Sequence, residues 1–212
     1  MDPKLNELLK WSVSNSATSK EDPTSATQTT TPQSTLNPEA IAALFGGPSD
    51  ADLMIASMQA IESSDPEITI DDKLIAFDNF EQLIENLDNA NNLGPLSLWT
   101  PLLSQLENEE AEMRKMAAWC VGTAVQNNEK SQERLLAMGG VEKLVKLATR
   151  DGEGRDVRRK AVYALSSAGR NYQPAMDIIT AELGREKVDA ADMDAIDEII
   201  NGLREDAAKV KA

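Results

Sequence analysis

The stretch Ala117-Ala118-Trp119-Cys120-Val121-Gly122-Thr123-Ala124-Val125-Gln126-Asn127-Asn128 returns in degenerate form 44 residues downstream. Arg114, Ala117, Ala124 and Asn127 are matched by Arg158, Ala161, Ala168 and Asn171, while Trp119 becomes Tyr163 and Val121 becomes Leu165. A period in the forties belongs to stacked units of two or three helices, in which no unit buries its apolar face alone. On a wheel of about 100 degrees per residue, Met113, Ala117, Cys120, Val121 and Ala124 share one side and Lys115, Trp119, Gly122 and Gln126 gather opposite. The first set is the expected core. A tryptophan opposite the core stripe either wedges against the neighbouring repeat or is displayed on a binding groove, and periodicity alone does not separate the two. The same offset puts Arg159, Tyr163, Ser166 and Arg170 on the corresponding face, so two repeats each present an aromatic and a cation.

Helical patterning extends outward from this pair. Asn37-Pro38-Glu39 starts a short helix that stops at Gly46-Gly47-Pro48, and Ser49 or Asp50 caps the next, through Leu53, Met54, Met58 and Ile61. Longer helices are expected at roughly 71–87, 96–106, 109–126, 130–138, 141–148, 156–170 and 173–183. A last segment, 188–208, carries Met193, Ile196, Ile199, Ile200 and Leu203 at helical spacing with acids between them. From Ser16 to Thr35 the chain is mostly Ser, Thr, Pro and Gln, which offers almost no apolar burial against the entropy of ordering. Five segments follow: a short amphipathic segment at 1–15, a disordered linker at 16–36, a helical cap at 37–64, repeats at 65–183 and an acidic capping helix at 184–212.

Charge and composition exclude several function classes. The chain has 21 basic and 36 acidic residues, net −15, which disfavours binding to a phosphate backbone or an anionic membrane. The acid is uneven: Asp50 to Asp88 contains eleven carboxylates and only Lys73, whereas Glu107 to Asn171 contains ten acids and twelve bases. With no histidine and a single Cys120, the common zinc sites and the Ser-His or Cys-His catalytic pairs are missing. Gly46-Gly47-Pro48 and Gly152-Glu153-Gly154 lack the lysine and hydroxyl of a phosphate-binding loop and read as helix stops. Neither a secretion leader nor a run of 18 apolar residues is found, so a reducing compartment is expected.

An ordered set of segments resembles a known family, the armadillo-type nucleotide exchange factors of the 70-kilodalton heat-shock chaperones, in particular its short cytosolic fungal members. The segments are Leu8-Leu9-Lys10-Trp11-Ser12, Asn37-Pro38-Glu39 with Leu44-Phe45-Gly46-Gly47-Pro48, Ala76-Phe77-Asp78-Asn79-Phe80, Leu83-Ile84-Glu85-Asn86-Leu87-Asp88-Asn89-Ala90-Asn91, and Gly122-Thr123-Ala124-Val125-Gln126-Asn127-Asn128. The resemblance implies an all-α, armadillo-like helical repeat solenoid with a flexible N-terminal arm. It implies a monomeric, cytoplasmic, non-enzymatic co-chaperone without a cofactor, which grips the chaperone's nucleotide-binding domain so that ADP leaves. In the family the N-terminal segment also enters the chaperone's substrate groove to help eject the client, and Leu8, Leu9 and Trp11 have the apolar character for it. The alternative is that Leu5, Leu8 and Leu9 pack back on the body.

Candidate chaperone contacts are the motif positions that a core does not need: Asp88, Asn89, Ala90 and Asn91, then Trp119, Gly122, Gln126, Asn127 and Asn128, and on the second repeat Arg159, Tyr163 and Arg170. Asparagine also suits helix ends and turns, so capping competes with contact at Asn89, Asn91, Asn127 and Asn128. Ala90, small among polar neighbours, would permit close approach by a partner. The competing reading is an armadillo-type adaptor that binds a peptide. Such adaptors pair the groove tryptophan with an asparagine four residues on, where this chain has Thr123 and, after Tyr163, Ser167. Longer members of the family continue with further repeats after the equivalent of Asn171, so contacts made by those repeats do not carry over.

Overall fold

A computed structural model describes residues 48–209 of the chain. The arm segment, the linker and the expected helix at Asn37-Pro38-Glu39 lie outside the described residues. Among the described residues ten α-helices follow one another: α1 Asp50–Glu62, α2 Ile70–Ile84, α3 Leu87–Asn92, α4 Trp99–Ser104, α5 Ala111–Val125, α6 Glu129–Ala137, α7 Gly140–Thr149, α8 Arg155–Gly169, α9 Gln173–Glu182 and α10 Met193–Lys209. A 3-10 turn, Gln105–Glu107, continues α4, and no strand occurs among the described residues. This is the all-α, armadillo-like solenoid that the repeat implies.

The repeat is visible at the level of backbone angles. The long helices α2, α5 and α8 have 15 residues each. α5 packs between the other two. Both α5 and α8 end on the same sequence of conformations: an extended Gln126 or Arg170, a left-handed Asn127 (φ 52°) or Asn171 (φ 57°), then Asn128 or Tyr172 near φ −131° and −133°. Asparagine tolerates the left-handed region better than any other residue with a side chain except aspartate, which explains its return at this offset.

Side-chain size sets how closely the long helices approach. The whole expected core stripe, Met113, Ala117, Cys120, Val121 and Ala124, is buried, as are Ala161, Ala164 and Ala168 of α8. Phe77 and Phe80 of α2, which packs on α5, supply bulk to the same core. Between α7 and α8 the buried Glu153 receives two hydrogen bonds from the Arg114 guanidinium, at 2.7 and 2.8 Å, while Arg114 Nη1 also donates to the carbonyls of Asn108 and Glu109. That one arginine therefore joins two connections distant in sequence, the one before α5 and the one before α8. The loop that carries Gly152 and Gly154 is the expected helix stop, with Gly152 at φ 77°.

One alternative that the sequence left open is decided at a helix end, and in two other places the ends depart from the sequence expectation. Ser49, not Asp50, caps α1, because Asp52 answers it to form a capping box that Thr69 and Asp72 repeat at α2. The helix expected at 71–87 stops at Ile84, and the polar run after it is itself helical: Asn86 caps α3 by accepting from Asp88 N–H. The last helix begins at Met193 rather than Val188, because Gln173 of α9 holds Val188 O and Ala190 N in a loop and Asn171 N–H donates to Ala190 O. Ile196, Ile199, Ile200 and Leu203 are then buried as expected, against α7 and α8.

Candidate functional site

The face of the long helices opposite the core stripe forms a groove around Trp119. Tyr163 of α8 lies directly over Gly122 of α5: a Cβ at Gly122 would stand 2.5 Å from the tyrosine ring. Only glycine leaves that ring room to lie flat on α5. The Tyr163 hydroxyl then reaches back to donate to Gln126 Oε1 at 3.2 Å. Trp119 is half-buried, with its indole covered by Lys160 Nζ at 3.3 Å from the ring centroid. Thr123 donates its hydroxyl to Glu81 of α2 at 2.6 Å, which ties the first repeat to the second along the same face.

Two adjoining cavities share Trp119 and Tyr163 as a wall. One, of about 400 Å³, is lined also by Glu81, Glu85, Thr123, Gln126 and Asn127. The other, of about 910 Å³, is lined also by Lys115, Met116, Asp156, Arg159, Lys160 and Arg204. Partial burial lowers the Lys160 pKa; the Glu81 carboxylate opposes this, and Lys115 and Arg159 add to it. Lys160 thus carries its charge among other cations on an aromatic ring, an arrangement that favours a cation over the π face.

Of the residues expected from sequence, Trp119, Gln126, Asn127, Arg159 and Tyr163 come together in this groove. Trp119 combines the two alternatives, since it is pinned by Lys160 of the next repeat and still forms groove wall. Three others do not meet them. Gly122 is buried beneath Tyr163, so its role is close packing. Asn128 is 6% exposed and caps α6, with its amide committed to Ala124 O and Ser131 Oγ. Arg170 is drawn toward α10, where it pairs with Asp197 and donates to Ser166 Oγ.

The α3 group lies apart from the groove. Asp88 is exposed, whereas Asn89 is buried and donates to Asp50 Oδ2 and Leu83 O. Ala90 is 3% exposed in the core, so its small size is first a packing requirement, and arginine there would disturb the fold as well as any contact. Ala90 and Asn91 line a separate cavity of about 430 Å³ between α3 and α6, with Lys130, Glu133 and Arg134 at its rim. Leu8, Leu9 and Trp11 lie outside the described residues.

Sequence reasoning passed over Glu81, Glu85, Lys160 and Arg204. Lys160 stands 44 residues after Met116, so the repeat gave it no matching charge, and Arg204 comes from a helix beyond the repeats. A wheel applied to α2 as well as α5 would have put Glu81 and Glu85 on the groove side. Cys120 is fully buried, and burial together with Glu81 pushes its thiol pKa well up, which leaves it inert as a nucleophile. Among the described residues no cluster of acids and cysteine is arranged to hold a metal, and no helix is long and apolar enough to cross a membrane.

Two family descriptions cover most of the chain. Residues 5–93 match nucleotide exchange factor Fes1, and residues 89–184 match the SIL1/FES1/HPBP1 C-terminal domain. An Hsp70 nucleotide exchange factor FES1 of Gibberella zeae is 65% identical over 98% of this chain and 99% of its own length. The chain belongs to the Fes1 family. A second Fes1 relative, from Neurospora crassa, is 54% identical and is likewise covered end to end, over 98% of this chain and 99% of its own. The Eremothecium gossypii Hsp70 nucleotide exchange factor FES1 is 45% identical over 86% of this chain but only 61% of its own length. The crystal structure of an engineered protein shares the fold, with a TM-score of 0.54 at 19% identity over 80% of this chain and 70% of that one. Within this Fes1 chain, α10 with Arg204 lies beyond both matched spans.

Proposed function

We propose that this chain is a nucleotide exchange factor for an Hsp70 chaperone, and that it works by binding alone. End-to-end identity with Fes1 proteins named for that activity carries the reading. The groove adds physical support: a wall of two aromatic rings flanked by charge suits a protein surface. The chaperone hydrolyses ATP; this protein biases the position of one lobe of its nucleotide-binding domain so that ADP escapes. It needs no cofactor and acts in the cytoplasm as a monomer.

Trp119, Gln126, Asn127, Arg159 and Tyr163 are the proposed chaperone contacts of the body, with Asp88 and Asn91 as a second, separate set. The N-terminal segment, through Leu8, Leu9 and Trp11, is proposed to reach the chaperone's substrate groove. A flexible linker of twenty residues spans roughly 25 Å, and a weak ligand held on it acts at an effective concentration on the order of millimolar.

Linkage supplies the test. A partner that weakens ADP binding is itself weakened by ADP by the same factor, so affinity for the chaperone's nucleotide-binding domain should fall on adding ADP. Calorimetry with and without ADP reads this directly. Equal affinity in both states would refute exchange, because a ligand with no preference shifts no equilibrium.

A further inference from the structure

The two cavities that meet at Trp119 and Tyr163 have opposite charge. The cavity on the α2 side carries Glu81 and Glu85 and no cation, and its neighbour carries Lys115, Arg159, Lys160 and Arg204 against Asp156 alone. The second is an island of positive charge on a chain whose net charge is −15. Two of its four cations have a carboxylate partner: Lys115 pairs with Glu112, and Arg159 stands 4.0 Å from Asp156. Among the described residues Lys160 and Arg204 have no carboxylate partner, since Lys160 rests on the indole and Arg204 donates to the Asn201 amide oxygen. Crowding like charges raises the energy of the folded chain, so folding does not explain the cluster, whereas a ligand of opposite sign does.

We propose that the groove reads charge polarity: it accepts a protein surface that sets acidic side chains against Lys115, Arg159, Lys160 and Arg204 and a basic side chain against Glu81 and Glu85. Trp119 and Tyr163 form the shared apolar step between the two, and the order of signs fixes the direction in which the partner lies. The identity of that partner as the chaperone's nucleotide-binding domain rests on the function proposed above; the polarity itself rests on the groove. Arg204 gives α10 a part in this surface, so the helix that closes the solenoid also completes its basic end. Complementary charge of this kind sets register and association rate, and salt screens it.

The full chain is tested with two kinds of probe. The first is the nucleotide-binding domain, measured against wild type, Arg159→Glu with Arg204→Glu, and Glu85→Lys, all at exposed positions. Each reversal should weaken binding about tenfold in low salt, with the gap shrinking as salt rises, while thermal melting stays unchanged. The second is a set of labelled peptides carrying a lysine pair and a glutamate triplet, glutamates only, or lysines only. Wild type should prefer the two-signed peptide, then the acidic one; Arg159→Glu with Arg204→Glu should shift preference to the lysine peptide, and Glu85→Lys to the glutamate peptide. A protein that ignores the chaperone but keeps this peptide order contradicts the exchange function and supports the polarity. Equal binding of all three peptides, or reversals that leave affinity and salt dependence as in wild type, overturns the polarity whatever the chaperone does.

Discussion

Glu153 is 3% exposed and still ionised, a state that depends on its partners. Burial alone would raise its pKa; the Arg114 hydrogen bonds, the Gly154 N–H and the charges of Arg114 and Arg150 outweigh it and hold the carboxyl below the usual glutamate value. A folded pKa below the unfolded one stabilises the protein at pH above roughly 4.3, and that stability is lost as pH falls through the lower, folded value. Glu153→Gln leaves Arg114 buried and unpaired, so it should destabilise the fold by about 3 kcal/mol near neutral pH and flatten the acid limb of a stability profile. Urea melts from pH 3 to 7 measure both, and a variant with unchanged stability would remove the pair from the account. Gly122 makes a second residue-scale test. Gly122→Ala forces a Cβ against the Tyr163 ring and should cost about 1 to 3 kcal/mol, and adding Tyr163→Ala should recover part of that. A double variant no more stable than Gly122→Ala alone would show that the clash lies elsewhere. The sequence carried Gly122 as part of a motif, but contact between repeats is lateral, and periodicity along one helix holds no information about which ring arrives from the next.

At the scale of elements, the sequence made the helices legible and their ends less so. The core stripe of α5 followed from spacing alone, because a 3.6-residue period reports burial directly. The start of α10 did not, since the five residues before Met193 are held in a loop by Gln173 from another helix rather than by their own pattern. α3 was hidden for a different reason: six mostly polar residues have no apolar stripe, and the Asn86 cap together with burial of Asn89 and Ala90 forms the helix. The returning asparagines are the clearest element-scale signal. Asn127 at φ 52° ends α5, so Asn127→Val should destabilise by about 1 to 2 kcal/mol, while Asn127→Gly should be close to neutral. Thermal melts separate these, and a neutral valine would mean the left-handed turn is not required.

For the whole molecule, the stack ends where α10 covers α7 and α8. Its apolar side supplies closure, and Ile200→Ala should cost about 3 kcal/mol as a cavity opens beneath it. Its polar side turns Arg204 toward the groove, which joins end-capping and partner binding in one helix. The sequence revealed the aromatic and cationic ladder on each repeat; it did not reveal that Glu81, Glu85 and Arg204 share the groove, because they come from helices outside the matched pair. The central question for the whole molecule is whether this groove drives exchange. The measurement is the release rate of a fluorescent ADP analogue from a cytosolic Hsp70, alone, with saturating wild-type protein, and with the Arg159→Glu, Arg204→Glu variant. Acceleration by wild type that the folded variant largely loses is the predicted result. No acceleration by a folded wild type contradicts the proposed function, and equal acceleration by both proteins contradicts the groove as its seat.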